Sequence, residues 1–422
     1  MTTIERQKIV YNVLSSVYKE GAYSGIALSE TLQALSEPSD KAYVTAVFYG
    51  VLEKDVILSY YISRLCTKKP KNAVQVLLKM GIYALKFTSA PNYAVIDNIV
   101  KLCKTIGKKE VSGFVNAVLR KAIDLDLPQE EPTAEFLSLY CSIPLWLSQD
   151  VIADYGYEKA KSILSASISS KTHVRINTRK ISESDFEKTV KNFEKSPLGY
   201  YVESNQLKKL DPTTYTVMSL ASMYAVRYYN AGIKRASDVL DTCSAPGGKA
   251  IYLEEIGAHN VVACDIHEHR VNLIKQYAKR MGSNVVAMQN DATILRADWT
   301  EKFDAVVCDV PCSGIGVISS KPDILLNRKR EDVFALADIQ LKILETSSQY
   351  VKKGGTLLYS TCTIMKKEND EVINKFLLKH TDYCIEKLDA TVIRCDEDGF
   401  VRIMPDEHGC DGFFVVCLRR KI

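Results

Sequence analysis

The chain has 422 residues, 46% of them apolar and 25% charged, with a formal net charge of +4. That length exceeds one ordinary core and calls for two or three domains, and the lack of any run of about 18 uncharged apolar residues argues against a membrane span. The opening MTTIERQKIVYNVL is charged and helix-like, without the basic head, apolar stretch and cleavage site of a secretory leader, so the cytoplasm is the expected location.

Residues 1–128 carry 17 Lys and Arg against 11 Asp and Glu, a local excess of +6, whereas 129–210 carry 11 of each and 211–422 carry 27 against 29. The excess gathers in runs such as Lys68, Lys69, Lys71 and Lys101, Lys104, Lys108, Lys109. It suits a polyanionic partner, although solvated helix faces would give the same count. This part reads as all-helical: apolar residues recur at helical spacing in 74–87 and 95–106, with Pro38, Pro70 and Pro91 as punctuation. The stretch LDLPQEEPT (125–133) breaks the pattern and marks a boundary.

From 134 to 210 the texture is mixed: three helical stretches, a strand expected over 172–178, a helix over SDFEKTVKNF and then a polar Ser, Gly and Lys-rich segment. This reads as a small α/β module. From about 212, five apolar strands (ASDVLDTC, NVVACDI, VVAMQND, FDAVVCDV, GGTLLYST) alternate with helical patterns. Such alternation gives an open, mostly parallel sheet covered on both faces, with ligand chemistry at the carboxyl ends of the strands.

Those ends are informative. The first strand leads into Cys243, Ser244, Ala245, Pro246, Gly247, Gly248 and Lys249, a tight turn whose glycines let a ligand approach the backbone. It matches neither the dinucleotide fingerprint nor a phosphate loop. Asp265 ends the second strand, placed to accept from a ribose diol. Asp291 follows the third, where it suits an adenine amine or a turn cap. Together they favour a nucleoside-containing cofactor. The fourth and fifth strands end in DVPCSG and STCT, which put Cys312 and Cys362 beside one cleft if the strands are neighbours. Most of the twelve cysteines suit simple packing, as Cys264 and Cys308 do inside strands. The other two lie in polar turns, where a thiolate nucleophile is the better reading. With no C-x-x-C pair and no ligand spacing among the six histidines, reduced thiols are expected and a metal site is not. A thiolate beside an electrophilic methyl donor suits methylation of a pyrimidine ring carbon, because adding sulfur to carbon 6 makes carbon 5 nucleophilic. The target base must be unstacked to enter.

Taken together, DTCSAPGGK, the aspartate strand ends, DVPCSG and STCT resemble the RNA 5-methylcytosine methyltransferases of the Nop/Sun family. The resemblance implies a Rossmann-like class I methyltransferase domain over 212–422, with Cys362 bonding the base and Cys312 assisting breakdown of the adduct. DNA cytosine enzymes place the nucleophile in the Pro-Cys motif instead, so the order implies RNA. It further implies that the 243–249 loop, Asp265, Asp291 and Asp309 bind S-adenosyl-L-methionine, and that Asp309 holds or protonates the base. Residues 92–121 are similar to the helical RNA-binding domain of the NusB antitermination factors, implying an all-α NusB-like domain over 1–128 and a linker module over 134–210. Segments 143–147, 175–180 and 402–421, the last as a hairpin, fit the bacterial members that act on small-subunit (16S) ribosomal RNA. A monomer is expected. Ser244-Ala245, where Ala-Ala is commoner, and Ala250, where Thr is frequent, are mild departures that remove no needed group. The alternatives are an RNA-binding protein with a degenerate catalytic half, which the intact motifs oppose, and an enzyme for free pyrimidines or DNA, which the cysteine order opposes.

Overall fold

The computed structural model describes residues 1–20, 24–169, 171–233 and 238–422. They form two compact units, Met1–Lys161 with Lys321–Arg328, and Ser162–Ser320 with Lys329–Ile422.

The first unit is helical. The expected helices appear as Asn72–Phe87 and Asn92–Thr105, the second opening directly after Pro91. Pro38 sits in the first turn of Pro38–Glu53, where its missing N–H is unneeded. Leu14, Phe48, Leu58, Leu77, Leu78 and Leu119 are fully buried at the centre. Lys79 enters this core only because Asp55 neutralises it at 2.5 Å and the Tyr18 ring lies 4.3 Å below. The 125–131 stretch carries no helix or strand.

The second unit holds two sheets. β1 (Thr172–Ile176), β2 (Phe193–Ser196), β3 (Gly199–Val202) and β4 (Tyr215–Val217) form an antiparallel sheet in the order β2-β3-β1-β4. Here the sequence expectation needs correcting. The helix expected to reach Phe193 ends at Thr189, and the polar segment after it is the β2–β3 hairpin. Burial of Tyr200 and Val202 against Phe186 outweighs the polar composition.

The larger sheet contains β5 (Val239–Asp241), β6 (Val261–Asp265), β7 (Val286–Gln289), β8 (Phe303–Asp309), β9 (Val351–Thr361), β10 (Tyr383–Ile385), β11 (Phe400–Ile403) and β12 (Phe413–Arg420). Its order is β10-β12-β9-β8-β5-β6-β7, with β11 paired to β12. The five expected strands are β5 to β9, all parallel; Ala236 and Ser237 of the first lie outside the described residues. The closing hairpin is β11 with β12, and β12 runs antiparallel against β9. Alternate residues enter two cores: Ala305, Val307 and Leu358 on one face, Val306, Cys308 and Leu357 on the other. Burial on both faces explains why these strands read as continuous apolar runs. Strand order reverses between β5 and β8, so a crevice opens beyond their carboxyl ends.

Candidate active site

The β5 end supplies the glycine loop. Ser244 N–H donates to Cys264 O at 2.7 Å, Gly247 N–H to Ser244 O at 2.7 Å, and the Arg270 guanidinium to Ala245 O at 3.0 Å. Gly247 has φ +104° and a Cβ there would stand 3.1 Å from Ile274, so only glycine suits the turn into Gly248–Glu255. Asp241 is fully buried; burial, reinforced by the charge of Asp309, pushes its carboxyl up to about 7. Burial likewise holds the Cys243 thiol well above the usual thiol range, which disfavours a reactive role.

At the β6 end, Asp265 accepts from His267 N–H at 3.0 Å and pairs with Arg270 at 3.0 Å. Beyond β7, Asp291 Oδ1 accepts from Thr293 N–H at 2.9 Å and Thr293 Oγ1 at 2.7 Å, so this carboxylate caps its own turn. Next to it the buried Asn290 side-chain amide has a donor with no hydrogen-bond partner. A buried unpaired donor beside two strand-end carboxylates and a side-chain-free loop fits a nucleoside-bearing cofactor, which offers ring acceptors and a ribose diol.

β8 and β9 are adjacent, with Asp309 in register with Ser360. Their end loops therefore converge, and Cys312 Sγ lies 3.2 Å from Cys362 Sγ. The hydrogen bond with Cys362, then burial, holds the Cys312 thiol well above its ordinary range. Lys249 supplies a cation nearby. Burial opposes its charge, but Asp309, and after it Cys362, outweigh that and raise the ammonium above its usual range. Lys249 Nζ meets Asp309 Oδ2 at 2.7 Å, while Ser360 Oγ donates to Asp309 Oδ1 at 2.7 Å and itself bonds Tyr229.

The sequence-derived residues thus gather on the carboxyl edge of one sheet. Cys312 meets Cys362, Lys249 meets Asp309, and Asp265 and Asp291 stand at the neighbouring strand ends. Sequence reasoning passed over Glu368, Asn369 and Gln340, all buried behind the thiols. The context of Glu368 and Asn369, KKENDE, reads as an exposed helix start that only its position just beyond the Thr-Cys motif could have flagged, and Gln340 lies within the helix Arg330–Ser348 with no local signal. In the helical unit, a cleft of about 490 Å³ is lined by Lys68, Lys69, Lys71, Lys108, Glu110 and Phe114 among others.

Comparison with known proteins bears on both units. The family described as 16S rRNA methyltransferase RsmB/F matches residues 232–419, and the NusB family matches residues 5–124. A probable ribosomal RNA small subunit methyltransferase B of Bacillus subtilis (strain 168) is 33% identical over 98% of each chain. The ribosomal RNA small subunit methyltransferase B of Xanthomonas campestris pv. campestris is 29% identical over 96% of this chain and 95% of that one. The crystal structure of PH0851 superposes with a TM-score of 0.80 at 22% identity, over 98% of this chain and 99% of that one, so the fold is shared.

Proposed function

The chain belongs to the family of ribosomal RNA small subunit methyltransferases B, and on that premise we propose that it methylates carbon 5 of a cytosine in small-subunit (16S) ribosomal RNA, with Cys362 as nucleophile and Cys312 as the thiol that aids release. The observation that carries the reading is the 3.2 Å contact between two sulfurs at the ends of adjacent strands.

The Cys362 thiolate adds to carbon 6, forming a carbon–sulfur bond and moving the 5,6 electron pair onto carbon 5. S-adenosylmethionine, when bound, supplies the electrophilic methyl group that carbon 5 takes. Solvent water takes the carbon 5 proton, the C–H electron pair restores the 5,6 double bond, and the bond to Cys362 breaks with its electron pair returning to sulfur. Cys312, with its sulfur 3.2 Å away, assists this release. Lys249 holds Asp309 at the mouth of this group, where its carboxylate can orient the base. The loop from Cys243 through Ser244, Ala245, Pro246, Gly247 and Gly248 to Lys249 holds the cofactor's amino-acid end, and Asp265 and Asp291 hold its nucleoside.

Residues 1–128 capture RNA, 134–210 link, and 212–422 carry the chemistry. The lysine-lined cleft with Phe114 supports the first assignment, since ammonium groups meet phosphates and an aromatic ring stacks on a base. The enzyme works as a cytoplasmic monomer without a metal. Among the described residues no single helix is long and apolar enough to cross a membrane, and no His, Cys, Asp or Glu group is arranged to hold a metal ion.

The test is incubation with cofactor tritiated in the methyl group and small-subunit RNA lacking the modification. Label on cytosine carbon 5 is expected. No label, where a control RNA methyltransferase gives it, contradicts the proposal.

A further inference from the structure

Two adjacent residues behind the thiols each grip one of the two cysteine loops. Glu368, fully buried, accepts from Ser313 N–H at 2.7 Å, from Ser313 Oγ at 2.5 Å and from Gln340 Nε2 at 2.9 Å. Gln340 Nε2 also donates to Pro311 O at 2.9 Å. The carboxylate therefore holds the residue after Cys312 directly and the residue before it through Gln340.

Asn369 does the same for the other sulfur. Its Oδ1 accepts from Thr361 Oγ1 at 2.6 Å and its Nδ2 donates to Thr363 O at 3.0 Å, gripping the residues on either side of Cys362. The two grips are joined at 2.9 Å between Ser313 Oγ and Thr363 Oγ1.

A carboxylate with no exposure is costly to bury unless its lone pairs are met. Here three donors from two side chains and one backbone amide converge on it. Such a group is a rigid acceptor, able to fix a loop more tightly than packing alone.

We propose that Glu368 and Asn369 are positioning residues with separate tasks, Glu368 holding Cys312 in place for adduct release and Asn369 holding Cys362 in place for attack. The inference rests on the thiol roles proposed above, and its test separates the two.

Isosteric exchange reverses one hydrogen-bonding group at each site. Glu368→Gln sets an amide N–H against converging donors, and Asn369→Asp sets a carboxylate against Thr363 O. Each variant is incubated with S-adenosylmethionine and unmodified small-subunit RNA, and the denaturant-resistant protein–RNA adduct is followed in time. Glu368→Gln should accumulate adduct about tenfold over the parent enzyme while forming it at nearly the parent rate, and Asn369→Asp should form it about tenfold more slowly without accumulation. Cofactor affinity by calorimetry should stay within about threefold of the parent in both, as an intact fold requires. Should either exchange prevent folding, Gln340→Met and Thr361→Val break the same grips from the other side and should divide in the same way.

Cys312→Ser and Cys362→Ser are run alongside. If these controls accumulate and abolish adduct respectively, but the exchanges slow both steps equally or divide in the opposite sense, the positioning assignment is overturned while the thiol roles stand. If the controls themselves behave otherwise, the thiol roles fall and the positioning assignment falls with them.

Discussion

Lys249 Nζ lies 2.7 Å from Asp309 Oδ2, tying the cofactor loop to the strand that leads into Cys312. The pair does two things. It neutralises a carboxylate that stands close enough to Asp241 to raise that group's affinity for its proton, and it keeps an ammonium near Cys362. Lys249→Met removes the cation that favours negative sulfur. Adduct formation should slow by about 10- to 100-fold, read by single-turnover labelling. A rate within twofold of the parent would contradict the role.

Asp241 gives a pH dependence of stability. Its folded-state value of about 7 lies above the ordinary 3.8, so between pH 4 and pH 7 the folded protein keeps a proton that the unfolded chain loses. Stability of the cofactor-free protein should therefore fall as pH rises through that window and level off above it, by a few kcal/mol at most. Asp241→Asn should flatten this part of the profile, measured by denaturant melts at pH 4, 5.5, 7 and 8. An unchanged slope in the variant would show that the buried carboxyl is not its source.

Gly316 is where the two thiol loops touch without side chains. Its N–H donates to Cys362 O at 3.0 Å and its carbonyl accepts from Gly412 N–H at 2.7 Å. A Cβ at this position would stand 2.2 Å from Gly412 O and 2.8 Å from Cys362 O, a clash with backbone rather than with movable side chains. Gly316→Ala should cost about 1–3 kcal/mol and lower turnover by shifting the sulfurs apart, while Gly409→Ala, in the β11–β12 connection with open space around it and only the local strain of φ +60°, should leave turnover near normal. Equal turnover in the two variants would contradict the account.

The catalytic half was legible in the sequence because its signals are local. An apolar run, a turn and a polar residue in a fixed order define each strand end, and Cys312 and Cys362 were found that way. The contacts that hold them were not. Ser313–Glu368 and Lys249–Asp309 join residues 55 and 60 apart, and no local pattern marks such partners. Glu368 reads as surface because charged residues seldom lie inside, and only tertiary packing makes it an exception. The β2–β3 hairpin was missed for a related reason: its composition is polar, and burial of one face by Phe186 decides its structure.

The order of the two thiols is the central claim. Cys312→Ser and Cys362→Ser proteins, each mixed with S-adenosylmethionine and unmodified small-subunit RNA, are resolved on a denaturing gel. A slow-migrating protein–RNA band is expected for Cys312→Ser and none for Cys362→Ser, because the first still attacks carbon 6 but cannot let go. A band with Cys362→Ser and none with Cys312→Ser would reverse the assignment, and no band with either would remove the covalent route.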